Sequence, residues 1–309
     1  MIKSDIWKAK RIKHKPIFQL RERRAYSEEL IQADASPHDW FEGRRDKCAL
    51  IVYIDDATSE LMKLKFFELE TTMAYAEVLQ EYIHEFGRFR ALYTDRHSIF
   101  KVTRGAESLK GVKKTQFSRM LEDLDIELIT ANTPQAKGRV ERANKTLQDR
   151  LVKELRLRKI DTIEEANKFL DDEFRHILNE KFMVKAKNSK DMHRPLLHDE
   201  KDEFKIFSVQ IERTASKNLE IQHENIIYQL ESKLHPYTMK KDTVLVCKGI
   251  NKEIKIYYKG EELKYKKYKK AAKLLDTQSS KTVNNVVDLV IEKQEVSEVE
   301  RLKDYICFK

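Results

Sequence analysis

Apolar positions in the first half of the chain follow strand and helix patterns in turn. Residues 48–54 form a nearly continuous apolar run, which is typical of a buried strand. Residues 61–67 alternate apolar with polar positions, which also predicts a strand. Short turns separate the first three runs, so we expect an antiparallel meander. The predicted strands are 30–34, 48–54, 61–67, 90–94 and 126–130.

Four segments between and after these strands have the spacing of helices. In residues 139–159, apolar positions recur every three or four residues. Thr162 followed by Glu165 has the pattern of a capping box. The predicted helices are 71–86, 115–124, 139–159 and 162–180. The order βββαβαβα is that of an RNase H-like domain, an α/β fold in which helices flank a mixed five-stranded sheet.

From about residue 204 the apolar pattern changes to a period of two. Val209 and Ile211 illustrate it, and the same alternation returns near 219–221, 244–246 and 254–256. Five or six short strands separated by polar turns predict a small all-β barrel.

Net charge is distributed unevenly and indicates where domain boundaries lie. The chain has 309 residues and a net charge of +9, yet residues 25–203 carry a net charge of −4. Residues 1–24 carry +7 and residues 204–275 carry +8. We therefore predict five segments. They are a basic linker (1–24), a catalytic core (25–185), a linker (186–203), a basic barrel (204–275) and a poorly ordered tail with a candidate short helix (276–309).

Composition excludes several classes of protein. The three cysteines are scattered and form no C-x-x-C pair, which argues against a zinc knuckle or a disulfide framework and favours a cytoplasmic setting. The longest apolar run is far shorter than the roughly 20 residues of a membrane-spanning helix. Residues 1–15 are basic but lack the apolar stretch of a secretory signal. A pI of about 9.1 indicates a polyanionic partner instead.

Lysines alternate with aromatic residues in segment 259–273, near the end of the predicted barrel. Long cations among aromatic rings suit contact with a phosphate backbone. The alternative is a solvated edge strand that resists pairing with another chain. The candidate DNA contacts in this segment are Lys266, Lys267, Lys269 and Lys270.

Three acidic residues are expected at one end of the predicted sheet. Asp34 lies on the first strand, Asp95 follows the fourth, and Glu141 begins the long helix that would pack across both. Clustered carboxylates repel one another unless a cation binds them, which suggests Mg²⁺ or Mn²⁺. Each also has a plainer explanation, as a turn cap, a loop Asx residue or a charge that complements a helix dipole. Asp55 and Asp56 lie in a hairpin turn, and we expect a structural role for them.

Three segments around these carboxylates resemble the catalytic motifs of insertion-sequence transposases of the ISNCY group. They are 31–44 (IQADASPHDWFEGR), 93–100 (YTDRHSIF) and 132–148 (NTPQAKGRVERANKTLQ). The third is also similar to the corresponding segment of retroviral integrases, and the likeness covers roughly residues 25–270. Two features depart from these families. Ala35 stands where the group usually has Gly, and the interval from Asp95 to Glu141 is longer than in retroviral integrases.

The resemblance implies a DDE-type recombinase in which Asp34, Asp95 and Glu141 are catalytic and hold two Mg²⁺ ions, with Mn²⁺ as a substitute. The implied reaction is cleavage of a phosphodiester at a transposon end, followed by attack of the freed 3′-hydroxyl on target DNA. Residues around the start of the long helix would face that DNA. The candidate contacts there are Lys137, Arg139, Arg142, Lys145 and Gln148.

The expected partners are transposon-end and target DNA and further copies of this chain. Transposases of this group usually carry a helix-turn-helix region before the core, and residues 1–24 leave no room for one, so a separate end-recognition polypeptide is a further expected partner. Two rival functions remain open. One is a non-catalytic DNA-binding remnant that regulates transposition, and the other is an RNase H-like nuclease. The complete triad favours catalysis, and the basic barrel favours a recombinase.

Overall fold

The computed structural model describes residues 22–102, 114–131, 138–196, 200–231, 239–269, 284 and 287–291. Within these ranges the chain forms two compact units. One comprises Met1–Thr214 and Asp242–Leu263, and the other comprises Ala215–Lys241 and Lys264–Lys309. Across the part of the chain that is described, no helix has the length and apolar character of a membrane span. Most of the predicted tail lies outside the described residues, apart from a helical stretch at 287–291.

The first unit contains a mixed five-stranded sheet in the order β3-β2-β1-β4-β5. β1 pairs antiparallel with β2, as β2 does with β3, whereas β1–β4 and β4–β5 are parallel. This confirms the RNase H-like α/β fold predicted above. The strands are β1 (Leu30–His38), β2 (Cys48–Asp55), β3 (Leu61–Phe67), β4 (Ala91–Thr94) and β5 (Glu127–Thr130).

β1 is longer than the predicted strand at 30–34 because it continues along β2 until His38 pairs with Cys48. The extension includes Pro37, which cannot donate a hydrogen bond to a strand ladder. On the other side of β1, the neighbouring strand β4 ends at Thr94. At Pro37, β1 therefore has only β2 beside it. The missing N–H therefore costs no ladder hydrogen bond on the β4 side.

Helices cover both faces of this sheet, and three of them begin at threonine caps. Thr71, Thr115 and Thr162 each accept a backbone N–H bond from the residue three positions later. The predicted helix at 162–180 is observed as two α-helices joined by a π-helical turn, Leu170–Phe174. The helices are α1 (Thr72–Phe86), α2 (Gln116–Asp123), α3 (Gly138–Leu157), α4 (Ile163–Phe169), α5 (Arg175–Phe182) and the unpredicted α6 (Glu200–Ile206).

Alternation along the strands divides the apolar core into two layers. Ile31 and Ala33 of β1 pack with the buried face of α1, including Val78 and Leu79. On the other face, alternate β2 residues such as Val52 pack with the apolar stripe of α3, whose members are Val140, Leu147, Leu151 and Leu155. A strand's side chains alternate between its two faces. The even-numbered residues of β1 are therefore directed towards α3.

The second sheet has six antiparallel strands in the order β6-β9-β10-β11-β8-β7, a nearly closed barrel. This confirms the small all-β domain predicted from the period of two. β11 carries the Lys/Tyr alternation and is bordered by β10 and β8. The strands are β6 (Val209–Thr214), β7 (Glu220–His223), β8 (Ile226–Glu231), β9 (Thr243–Lys248), β10 (Ile254–Tyr258) and β11 (Glu261–Lys269).

A buried ion pair fixes the start of α3 against the sheet. Asp56 is fully buried, and its Oδ1 accepts hydrogen bonds from Gln32 Nε2 at 2.6 Å and from Arg139 Nη1 at 2.8 Å. The side chain of Arg139 is only 9% exposed. Asp56 Oδ2 accepts a bond from the backbone N–H of Arg24 at 3.0 Å. One carboxylate therefore ties together β1, the turn after β2 and the first turn of α3.

The neighbouring Asp55 holds the turn itself. Its Oδ2 accepts bonds from the backbone N–H and the hydroxyl of Thr58, both at 2.7 Å, and its Oδ1 accepts the N–H of Glu28 at 3.0 Å. Burial raises the pKa of Asp55, and these hydrogen bonds act in the opposite direction. The structural role expected for the Asp55–Asp56 pair is confirmed.

We predict that Asp56→Ala lowers the free energy of unfolding by about 3–5 kcal/mol, because it leaves the buried Arg139 guanidinium without its carboxylate. Urea unfolding followed by circular dichroism measures this loss. Asp149→Ala removes an exposed i,i+4 partner of Lys153 on the same helix and should leave the midpoint unchanged. Equal midpoints for the two variants would show that the buried pair has no such role.

Candidate active site

Asp34 lies on β1, and Asp95 directly follows the neighbouring parallel strand β4. β1 and β4 are paired from Leu30↔Ala91 to Gln32↔Tyr93, and continuing this register by two residues brings Asp34 opposite Asp95. Neighbouring strands are about 4.8 Å apart, and opposite residues point to the same face. Both residues are partly buried. Continued in this way, the register would direct the two acidic side chains to the same face of the sheet where β4 ends.

α3 runs along β1 and bonds to three of its even-numbered polar residues in turn. Four helical residues advance about 6.0 Å and two strand residues about 6.6 Å, so every turn of α3 meets the next inward side chain of β1. The three bonds are Val140 N–H to Gln32 Oε1 (3.3 Å), Asn144 Nδ2 to Asp34 Oδ2 (2.9 Å) and Gln148 Nε2 to Ser36 Oγ (2.9 Å).

Glu141 is exposed in the first turn of α3, three residues before Asn144. Because Asn144 bonds Asp34, Glu141 lies about one helical turn before the residue that contacts Asp34. The oxygens of Asp34, Asp95 and Glu141 do not all lie within 4.8 Å of one another. The catalytic role of the three residues therefore stays a prediction.

The donor chemistry of these three residues fits a hard divalent cation. All three offer carboxylate oxygens, which Mg²⁺ and Mn²⁺ prefer. Asp95 Oδ1 also accepts the backbone N–H of His97 at 2.9 Å, an Asx turn that fixes the direction of the carboxylate. The turn explanation and the metal-binding explanation are therefore compatible for Asp95.

The DNA contacts predicted on α3 differ in their surroundings. Arg142 and Lys145 are exposed, and Arg142 Nε donates to the carbonyl of Gly138 at 2.9 Å. The guanidinium of Arg139 is instead directed into the interior at Asp56, so its position favours a structural role over DNA contact. The amide of Gln148 bonds Ser36. Lys137 lies outside the described residues.

Among the lysines predicted on β11, Lys266 and Lys267 are exposed. Lys266 Nζ lies 3.2 Å from Glu231 Oε1, and Lys267 Nζ lies 5.7 Å from the centre of the Tyr265 ring. Lys269 ends the strand, and its side chain is not among those described, while Lys270 lies outside the described residues. The exposed pair keeps the cation–aromatic alternation that suggested phosphate contact.

Sequence reasoning missed Asn144, the residue that bonds Asp34. It is 8% exposed, although asparagine is seldom buried. The available signal was a polar residue four positions after Val140 and four before Gln148, a line of positions that faces one strand. The prediction of α3 used only its apolar stripe, so this second row of polar residues was not identified.

Sequence similarity confirms the resemblance to insertion-sequence transposases. A putative transposase, y4bF, from Sinorhizobium fredii (strain NBRC 101917 / NGR234) is 45% identical over 199 residues, covering 63% of this chain and 42% of that protein. The transposase for insertion sequence IS1202 from Streptococcus pneumoniae is 34% identical over 264 residues, covering 83% of this chain and 56% of that protein. The chain thus spans about half the length of these curated relatives.

The solved structures that match this chain include integrases whose sequence identity to it is low. A simian T-cell lymphotropic virus intasome in complex with PP2A regulatory subunit B56 gamma has a chain that is 14% identical, with a TM-score of 0.41, and the match covers 82% of this chain and 84% of that one. The HTLV-2 integrase catalytic core domain in complex with magnesium is 18% identical, with a TM-score of 0.35, covering 49% of this chain and 92% of that one. No protein-family model matches the chain.

If β11 contacts phosphates, Lys267→Gln should weaken binding to any duplex DNA and reduce the slope of log K against log salt by about 1. Fluorescence anisotropy at several salt concentrations measures both quantities. Lys153→Gln, on the exposed side of α3, is the matched control and should keep the wild-type slope. Identical slopes for the two variants would exclude Lys267 as a phosphate contact.

Proposed function

We propose that this chain cleaves DNA strands and joins them to target DNA, with Asp34, Asp95 and Glu141 as its catalytic residues. The observation that carries the proposal is the hydrogen bond from Asn144 to Asp34, since it ties the helix of Glu141 to β1, whose register with β4, continued by two residues, would set Asp34 opposite Asp95. The similarity to two transposases supports the same reaction class. The three motifs are then parts of one site.

The three carboxylates would hold Mg²⁺ or Mn²⁺, and two ions are expected. When bound, such ions stabilise the attacking and leaving oxygens of an in-line phosphoryl displacement. The protein's own part is to hold the carboxylates in place. Asn144 orients Asp34 by a 2.9 Å bond, and the Asx turn at His97 orients Asp95.

The start of α3 would receive the DNA backbone beside these carboxylates. The free N–H groups and the dipole of a helix N-terminus favour phosphate. Arg142 and Lys145 are exposed on the first two turns, where their cations would offset the charge of the phosphate and of Glu141. Negative carboxylates and polyanionic DNA can then approach each other without strong repulsion.

The proposed partners are transposon-end DNA and target DNA. Joining two ends to one target requires two sites held together, so we infer that several copies of this chain assemble on DNA. The exposed lysines of β11 would add contacts to the backbone that do not depend on base sequence.

We predict that Glu141→Gln reduces Mg²⁺- or Mn²⁺-dependent nicking of supercoiled plasmid by at least about a hundredfold, because the amide removes a negative ligand. Gel electrophoresis of the nicked form measures the rate, with EDTA as the metal-free control. Glu154→Gln on the same helix should retain wild-type activity. If the wild-type protein shows no metal-dependent cleavage or strand transfer with DNA that carries the element's ends, the non-catalytic remnant is the better explanation.

Removing the bond that positions Asp34 should have a smaller and distinct effect. We predict that Asn144→Ala lowers the nicking rate about 10- to 100-fold and that raising the Mn²⁺ concentration restores part of it, as for other partners of metal-binding carboxylates. Duplex binding should be unchanged. Thr146→Ala, which removes a bond to the carbonyl of Arg142, is the control. A metal-independent loss equal in both variants would contradict a positioning role for Asn144.

A further inference from the structure

A second group of ligand-bearing side chains lies near the beginning of β1. Glu28, Asp191 and His193 each offer a ligand atom, and these atoms all lie within 4.8 Å of one another. Glu28 precedes β1, whereas Asp34 lies four residues after the strand begins, or about 13 Å along it. The group is therefore separate from the triad of Asp34, Asp95 and Glu141.

Glu28 is directed into this group and is incompletely satisfied. It is 7% exposed, and its Oε2 is buried without a hydrogen-bond partner. Buried polar atoms in folded proteins nearly always have a partner, so an unpartnered carboxylate oxygen indicates that a ligand is missing. Burying a carboxylate is costly, and a bound cation would offset that cost.

Both ring nitrogens of His193 have partners, so an ion bound through Nδ1 would take the place of the contact between Nδ1 and Asp191. Its Nε2 lies 2.8 Å from the hydroxyl of Tyr82, and its Nδ1 lies 3.0 Å from Asp191 Oδ1. In metal sites the histidine nitrogen that does not bind the ion commonly donates to a nearby oxygen, which fixes the ring. When Nε2 donates to the Tyr82 hydroxyl, Nδ1 is unprotonated and can bind an ion.

The segment that carries Asp191 and His193 is anchored on both sides of the group. On one side, the N–H of Asn188 donates to the carbonyl of Ala25 at 2.9 Å. On the other, Arg88 and Arg194 exchange two backbone hydrogen bonds at 2.7 and 2.9 Å. A backbone held at both ends keeps the ligands in place, which lowers the entropic cost of binding an ion.

We propose that Glu28, Asp191 and His193 Nδ1 bind a divalent transition-metal ion of the zinc type. Two carboxylates with one imidazole favour zinc over magnesium, which prefers oxygen ligands and its own water. Ligand atoms about 2.1 Å from a tetrahedral ion lie roughly 3.4 Å apart, which fits within the observed spacing. Asp191 is 70% exposed, so water can take the fourth position. The ion would clip residues 188–194 to the start of β1.

Cobalt titration of the metal-free full chain tests this site, because Co²⁺ reports nitrogen ligation and low coordination number by its visible absorption. We expect one equivalent to bind with a tetrahedral spectrum, to be displaced by Zn²⁺, and to persist in Asp34→Asn. Glu28→Gln, which keeps the side chain's shape, should weaken this binding at least about tenfold. Asp191→Asn, at an exposed position, should do the same without affecting folding.

Glu60→Gln is the matched control, since it removes a nearby partly buried carboxylate that is outside the group. It should bind Co²⁺ as wild type does. The proposal is overturned if Glu28→Gln and Asp191→Asn retain wild-type affinity, or if all Co²⁺ binding disappears in Asp34→Asn. Loss of nicking activity in the triad variants has no bearing on either result, so the two metal sites are tested independently.

Discussion

The buried carboxylate of Asp56 is the constraint on which the arrangement of the site depends. It bonds Gln32 on β1 and Arg139 at the start of α3, and Gln32 in turn accepts the N–H of Val140. These contacts fix the position of α3 along β1 and the rotation of α3 about its own axis. Asn144 then meets Asp34 one turn later, and Gln148 meets Ser36 after another turn. A buried pair of this kind is retained for specificity of position rather than for net stability, which is our hypothesis for its role here.

The strand order supplies the other half of the site. Because β1 has β2 on one side and β4 on the other, Asp34 can stand beside Asp95 although 60 residues separate them in the chain. The short strand β4 ends at Thr94, and Asp95 forms an Asx turn at the C-terminal end of this strand. The strand order therefore lets residues that are distant in sequence face the same side of the sheet.

Much of the fold was predictable from local pattern, and the contacts between elements were not. The apolar run of β2, the alternation of β3 and the threonine caps gave elements close to those observed, since each depends on neighbouring residues. The catalytic roles of Asp34, Asp95 and Glu141 were predicted from motifs and stay predictions. Arg139 was predicted to contact DNA because the pattern places it near the helix start, but its rotation about α3 turns it to Asp56. The group of Glu28, Asp191 and His193 was not predicted either, because Glu28 is far from the other two in sequence.

The central claim is that Asp34, Asp95 and Glu141 jointly hold the ions that act on DNA. Anomalous diffraction from crystals of the full chain soaked in Mn²⁺ tests it most directly. We expect manganese peaks between Asp34 and Asp95, with Glu141 turned towards them, and no such peaks in Asp34→Asn crystals. Ordered manganese bound elsewhere, with the three carboxylates left without an ion in wild-type crystals, would contradict the claim.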